Sequence, residues 1–415
     1  MSLELEISLE ETPVGRLIRG EDGQVRLRFL SSYVEAARRP LLSLWYLGKL
    51  RGPAEPEPRV PAFFQNLLPD PDGPLRAMVV EAAGARDDQE MRLLAFLGED
   101  LPGAVRVAAA GEIAGEAPYP PGPQARRLDE APLRFSLAGV QLKFSMVREG
   151  KGLTVPASGR GGDWIVKLPD AQFDGVPEAE YTVMQWARAC GIEVPELEIV
   201  GMAQLSGLPA ARGSTTGSSL CLAVRRFDRG PEGRRIHIED FAQVFGRAPF
   251  QKYNKELPAG ARPIGFEDLA RAVAVYTPDD RREMVRRLVF MALSGNADAH
   301  LKNWSFIYRD GRRPRLAPSY DLVPTIAFPG TDDQLALPLF GAASFESVTL
   351  ASFERLGAAL KLPPEQVRMW AREDVARTMD AWASIGGLEM EVRMAMTRHH
   401  ARLRRQGLLS ETAGS

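Results

Sequence analysis

The sequence predicts an α+β fold of two lobes, a β-rich lobe followed by a mostly helical one, with a small extra α/β subdomain at the N-terminus. Three observations predict it. Between about residues 133 and 235, short strand-type segments alternate with turn residues and enclose one helix-periodic stretch. After about residue 236 the apolar period becomes mostly helical. The segment "GEAPYPPGPQARRLDEAP", residues 115–132, is rich in Pro and Gly and reads as a linker. The organisation is therefore an N-terminal subdomain at 1–114, the linker at 115–132, the β-rich lobe at 133–235 and the helical lobe at 236–415.

Each element follows from local chemistry. Near the N-terminus, "VGRLIRG", "GEDGQ" and "VRLRFL" read as strand, turn and strand. "LRAMVVEAAGARDDQEMRLLAFLGED" reads as one helical stretch. In the second block, "RFSLAGVQLKFSMV", "DWIVKLP", "ELEIVGM" and "LCLAVRRFDR" have the composition of strands, and "EAEYTVMQWARACG" is a helix with Gly191 as its stop. "IEDFAQVFG", "FEDLARAVAVY", "DDRREMVRRLVFMALSG" and most of 347–407 have helical period. The basic run "TRHHARLRRQ", 397–406, reads as the solvated face of the last helix.

Bulk properties narrow the function classes. The chain has 415 residues, 45% of them apolar, enough for a sizeable core and for two or three domains of roughly 100–200 residues each. The formal net charge of −2 gives no global pull toward nucleic acid. Cys190 and Cys221 form neither a metal spacing nor a disulfide framework and are expected to be buried thiols in a reducing compartment. The acidic start "MSLELEISLEE" lacks the basic and apolar regions of a signal peptide, and no run reaches the roughly 18 apolar residues of a membrane helix. A cytoplasmic protein without membrane contact is expected.

Chemistry concentrates in "NADAHLKN", residues 296–303, where a helix hands over to a strand. Asp298 and Asn303 have the Asp-to-Asn separation of the protein-kinase catalytic loop. Phosphoryl transfer needs a carboxylate that orients a hydroxyl and takes its proton, and an oxygen donor a few ångströms away for Mg²⁺. Lys302 between them can neutralise charge on the transferring group. Downstream, "LAPSYDLVP" places Asp321 where a second magnesium ligand belongs, so Asn303 and Asp321 form a candidate metal pair. Upstream, "DWIVKLP" puts Lys167 on one strand face with Ile165, half-buried and in need of an anion. Its expected carboxylate partner is Glu180, with Glu178 as the rival. "SLAGVQLKFS" reads as a flap over phosphates, with the single Gly139 rather than a glycine-rich motif. Each piece alone passes as a turn, an edge lysine or a hairpin. Their order of flap, Lys, Glu, strand, Asp-x-x-x-x-Asn and Asp is that of a kinase-type site, with the β-rich lobe holding the nucleotide and the helical lobe the catalytic loop.

These segments, together with "WIVKLP", "LAVRRFDR", "EDFAQVFG", "FFQNLLPD" and "GRLIRG", resemble in order the HipA family of toxin kinases across nearly the whole chain. The resemblance implies a serine/threonine protein kinase with a kinase-like two-lobed fold, ATP and Mg²⁺ as cofactors, and a role as toxin in a type II toxin–antitoxin pair. It implies a small helix-turn-helix antitoxin (HipB-like) as partner, DNA contact only through that antitoxin, and an aminoacyl-tRNA synthetase, notably the glutamyl enzyme, as protein substrate. Carried over by motif, Asp298 is the proton acceptor, with Lys302 in the catalytic loop. Ala138, Gly139, Val140, Gln141 and Lys143 form the flap. Lys167, Glu180, His300, Lys302, Asn303, Tyr320 and Asp321 surround the triphosphate, and Arg225 and Phe227 belong to the adenine hinge. Ser136 matches the family's autophosphorylated serine. The chain departs from the family's best-known form at Arg225, which replaces a Glu, and at "PLLSLWYLGKL". Two further readings stand beside this one: a small-molecule kinase of the same fold, and a non-catalytic corepressor acting through a DNA-binding antitoxin.

Overall fold

The computed structural model describes residues 3–71, 73–86, 89–110, 142–155, 161–169, 173–208, 219–257, 259–328 and 333–409. The expected linker and the flap residues Ser136, Ala138, Gly139, Val140 and Gln141 lie outside the described residues.

The N-terminal segment builds a four-stranded antiparallel sheet from β1 (Leu3–Leu9), β2 (Thr12–Arg19), β3 (Val25–Phe29) and β4 (Val105–Ala109), in the order β3-β2-β1-β4. The alternation of β1 buries Leu5, Ile7 and Leu9 on one face. Short helices α1 (Ser31–Glu35) and α2 (Ala62–Gln65) follow. The stretch read as one helix divides into α3 (Pro74–Ala82) and α4 (Glu90–Leu97). Gly84, at φ 55°, lies in the left-handed region between them, which an α-helix does not continue through.

The second sheet has six strands in the order β8-β10-β7-β5-β6-β9: β5 (Lys143–Glu149), β6 (Gly152–Thr154), β7 (Trp164–Lys167), β8 (Leu197–Gly201), β9 (Leu205–Ser206) and β10 (Leu220–Arg225). The predicted face alternation of β7 is present. Trp164 and Val166 join a core with Phe144, Met146 and the N-terminal residues Leu5, Leu94 and Val107. Packed against the sheet is α5 (Val176–Ala189), with Met184 against Leu197, Leu222 and Val224. Gly191, at φ 80°, lies just past its end. The two cysteines are free and buried, and burial pushes their thiols up to about 11 at Cys190 and about 12 at Cys221.

The C-terminal lobe is mostly helical. "IEDFAQVFG" is only half helix: β11 (His237–Asp240) pairs with β12 (Ser305–Tyr308), and only α6 (Phe241–Val244) is helical, capped by Asp240. β13 (Arg315–Leu316) completes this small sheet. Then come α7 (Phe266–Tyr276) and α8 (Arg281–Ser294), the hairpin β14 (Gln334–Leu339) and β15 (Ala342–Ser344), and α9 (Leu350–Leu360), α10 (Pro364–Ser384) and α11 (Met390–Arg405). The basic run on α11 is not wholly solvated. His399 and His400 are buried, with Nε2 atoms 2.7 Å from the Ala292 carbonyl and 2.9 Å from the Leu293 carbonyl.

Candidate active site

β7 delivers Lys167 to the cleft between the lobes. Its Nζ lies 2.6 and 2.7 Å from the two carboxylate oxygens of Glu180 on α5, and it also donates to Asp321. Glu180, not Glu178, is therefore the lysine's partner. Burial disfavours the Lys167 ammonium, but Asp321 and Glu180 outweigh it and raise its affinity for the proton. Burial likewise opposes the Asp321 charge, and Lys167 and Lys143 overcome it, holding that carboxyl well below the usual carboxylate range. Glu180 is pushed up by burial against the pull of Lys167. The proton thus resides on the lysine, and Asp321 is the carboxylate kept ionised.

Lys143, the one flap candidate within the described residues, sits directly opposite Lys167 in the β5–β7 ladder. Like charges facing each other across a sheet are destabilising. Burial pushes the Lys143 ammonium down, and Asp321 pulls it back up. The two buried lysines on this strand-pair face are balanced by Asp321 and Glu180.

The catalytic-loop candidates follow α8, which ends at Gly295 in the left-handed region, with φ 63° and ψ 33°. A Cβ there would lie 2.3 Å from the Ile326 side chain, so the turn needs glycine for space as well as for conformation. Beyond it, Asn296 Oδ1 accepts from the Asp298 N–H at 3.0 Å, and Asn296 Nδ2 donates to the Asp321 carbonyl at 3.2 Å. Asn296 thereby ties the two acidic segments together. Asn303 Nδ2 donates to the Asp298 carbonyl at 2.8 Å, so the amide oxygen is the atom left to face a cation. Asp321 adopts φ 58°, a left-handed conformation rare for residues other than glycine and less so for Asp.

Asp298 is reached by the Tyr253 hydroxyl, which donates to its Oδ1. Burial pushes the Asp298 carboxyl up, opposed by that hydroxyl. His300 is buried, with its ring edge-on to Tyr253 at 4.9 Å between centroids. Burial pushes its imidazole down to about 3, so it is neutral, and its Nδ1 has no hydrogen-bond partner. Lys302 Nζ bonds Asp70 of the N-terminal subdomain at 2.7 Å, and Lys252 Nζ bonds the same carboxylate at 2.5 Å. Tyr320 donates to the Lys302 carbonyl at 2.9 Å, and its ring lies 5.6 Å from that of Phe227. Arg225 is exposed at the end of β10, its guanidinium 3.1 Å from Glu196, so its side chain faces solvent and a carboxylate.

Sequence reading missed Asp70, Lys252, Tyr253 and Asn296. Asn296 opens the quoted loop and was within reach. Asp70 closes the quoted "FFQNLLPD", but nothing local gave it a chemical role, and Lys252 and Tyr253 arrive from a distant segment and left no local signal.

The donor set fits a nucleotide with a hard divalent cation. Among the described residues no group of three His, Cys, Asp or Glu side chains could hold a metal by itself. A cation here would draw on Asn303 and Asp321 and fill its shell with phosphate oxygens and water. The orphaned Nδ1 of neutral His300 and the paired lysines add partners for phosphate.

Comparison with known proteins places the chain in a family. The HipA N-terminal domain matches residues 5–108, and the HipA-like C-terminal domain matches residues 135–382. A Sinorhizobium fredii protein named as a candidate kinase, Y4dM, is 43% identical over 405 residues, covering 95% of each chain. The serine/threonine-protein kinase toxin HipA of Shewanella oneidensis is 26% identical over 325 residues, 71% of this chain and 70% of that one. A chain in the structure of the Shewanella oneidensis HipA, HipB and operator DNA complex superposes with a TM-score of 0.70 over 97% of each chain, at 22% identity, which bears on the fold. With its C-terminal domain matched over more than half its length and a relative 43% identical along nearly all of it, this chain belongs to the HipA family.

Proposed function

We propose that the protein is an ATP- and Mg²⁺-dependent serine/threonine protein kinase acting as a toxin. Its expected target is a translation component, an aminoacyl-tRNA synthetase such as the glutamyl enzyme, and its expected antagonist is a small helix-turn-helix antitoxin through which alone it meets DNA. Ser136 is the expected autophosphorylation site. The observation that carries the kinase reading is the Lys167–Glu180–Asp321 junction beside the Asp298–Asn303 loop. A similarity to a named kinase toxin and to a chain solved with HipB and operator DNA supports the toxin and antitoxin parts. No described helix is long and apolar enough to cross a membrane, and a cytoplasmic site of action is part of the proposal.

In this reading Lys167 and Lys143 bind phosphate oxygens, and Asp298 orients the acceptor hydroxyl and takes its proton. Asn303 and Asp321 hold the cation. Mg²⁺, when bound, neutralises charge between the phosphates. His300 stays neutral and offers an N–H rather than a charge.

Label transfer from γ-labelled ATP with Mg²⁺ into cell extract tests the reading. Wild-type protein is expected to label a protein. Asp298→Ala is expected to abolish transfer while binding an ATP analogue within a fewfold of wild type, because the loss falls on the transition state. Label on small metabolites selects the small-molecule kinase, and growth arrest that survives Asp298→Ala selects the corepressor.

A further inference from the structure

The kinase reading leaves a buried carboxylate that bonds the Asp298–Asn303 loop without a role. Asp70 belongs to the N-terminal subdomain and is 7% exposed. Its two oxygens are divided between two lysines of the catalytic lobe, Oδ2 taking Lys252 at 2.5 Å and Oδ1 taking Lys302 at 2.7 Å. Each lysine is one residue from a group that touches the Asp298 segment. Lys252 precedes Tyr253, whose hydroxyl donates to the Asp298 carboxylate. Lys302 precedes Asn303, whose amide donates to the Asp298 carbonyl at 2.8 Å. The two segments also touch directly, through the Leu301 N–H and the Lys252 carbonyl at 3.4 Å.

We propose that Asp70 is a positioning residue for phosphoryl transfer: the N-terminal subdomain supplies the carboxylate that fixes Tyr253 and Asn303 on either side of Asp298. The inference rests on the kinase reading of the site.

The carboxylate is itself held in place. Asn66 Nδ2 donates to the Arg247 carbonyl at 2.7 Å, and Gln243 Nε2 donates to the Phe63 carbonyl at 2.9 Å, so the segment before Asp70 is pinned to α6 and the turn after it. Burial opposes the Asp70 charge, but Lys302 and Lys252 outweigh it and hold the carboxyl well below the usual carboxylate range. The carboxylate is therefore an anion at any working pH. Without it, two buried cations lie side by side and lose the one carboxylate that bonds both. The acids left to attract them are Asp298, beside Lys252, and Asp240, beside Lys302. A lysine that turns toward Asp298, the proton acceptor of the kinase reading, disturbs transfer. The Lys167–Glu180–Asp321 junction that grips the nucleotide contains neither Lys252 nor Lys302 and is expected to stand.

The test is steady-state kinetics of the full chain with ATP·Mg²⁺ and a protein acceptor, alongside titration with an ATP analogue. Asp70→Asn is expected to lower kcat by about tenfold to a hundredfold, the scale of a small misplacement of reacting groups. KM for ATP and analogue affinity are expected to stay within about threefold, since the lost interaction acts on positioning rather than on nucleotide binding. Asp70→Glu, which restores the charge on a longer arm, is expected to recover part of kcat. A wild-type kcat in Asp70→Asn overturns the inference, as does a loss of ATP binding in step with kcat, which assigns Asp70 to the fold alone. Failure of Asp70→Glu to recover any activity overturns the role of the charge. Wild-type protein that transfers no phosphate overturns the kinase reading itself and this inference with it, so the two failures are told apart by the wild-type control.

Discussion

Two opposed influences set the basicity of Asp298. Burial raises its hold on a proton, and the Tyr253 hydroxyl lowers it by donating to the ionised form. In the proposed kinase mechanism Asp298 acts as general base, which works only when deprotonated, so activity is expected to fall as pH drops through its pKa. Tyr253→Phe removes the donor and leaves burial unopposed by it. The acid limb of the pH–kcat profile is therefore expected to move to higher pH, with kcat at neutral pH reduced less than at acid pH. An acid limb that stays where it is in wild type would remove Tyr253 from the environment of the working base. At this scale the sequence was informative wherever chemistry repeats at short spacing. Asp298 and Asn303 share one loop, and Lys167 sits on a strand whose alternation aims it at the cleft. Tyr253 and Lys252 were silent, because "QKYN" is an ordinary polar turn until folding brings it against residues 298–302.

The end of α8 shows how one element holds another. His399 and His400 on α11 take up the carbonyls of Ala292 and Leu293 in its last turn, just before Gly295 and the Asp298–Asn303 loop. These carbonyls have no partners within their own helix. Burial pushes both imidazoles down, from 6.5 to about 4. The unfolded chain therefore binds more protons than the folded one between those values. The stability the rings contribute is whole above pH 6.5 and is lost as pH falls toward 4. The magnitude is roughly 2 kcal/mol per ring at about pH 5. Glu239 and Asp240, pushed up by burial to about 7 and about 6, act in the opposite sense, so wild type alone cannot isolate the effect. The difference between proteins can. His399→Gln with His400→Gln keeps amide donors and removes the titration. Its melting temperature is expected to be lower at neutral pH but to fall less steeply on acidification, and curves that run parallel to wild type would refute the linkage. Long helices such as α5, α7 and α8 were legible because their apolar period spans several turns. "IEDFAQVFG" was misread as helix throughout because its first half is set by pairing with β12, some sixty residues on, which no local pattern encodes.

At the scale of the molecule, the N-terminal subdomain and the β-rich lobe share one core. Leu5, Leu94, Leu97 and Val107 pack in the same cluster as Phe144, Met146, Trp164, Val166 and Ala223. A buried ionic group reinforces the junction. Asp100 accepts from Arg226 at 2.7 Å and Arg229 at 3.0 Å, while Asp228 accepts from Arg226, Arg229 and the Gly103 N–H. Buried ion pairs contribute little net stability when intact, but removing one partner typically costs about 3–5 kcal/mol, because a charge is left without its counter-charge. Deleting residues 1–110 would remove Asp100 and leave Asp228 alone to balance both Arg226 and Arg229. It would also bare one face of the second sheet, where each fully exposed apolar side chain costs roughly 1.5–3 kcal/mol. Those losses exceed the roughly 5–15 kcal/mol by which a domain is usually stable. The chain beginning at residue 111 is therefore expected to lack a cooperative thermal transition and to elute as aggregate in size-exclusion chromatography. A monomeric truncated protein with a sharp melt would show instead that the second sheet closes its core without the first. In that event the truncated protein should bind an ATP analogue through Lys167, Glu180 and Asp321 yet transfer phosphate poorly, because Asp70 would be gone from beside Lys252 and Lys302.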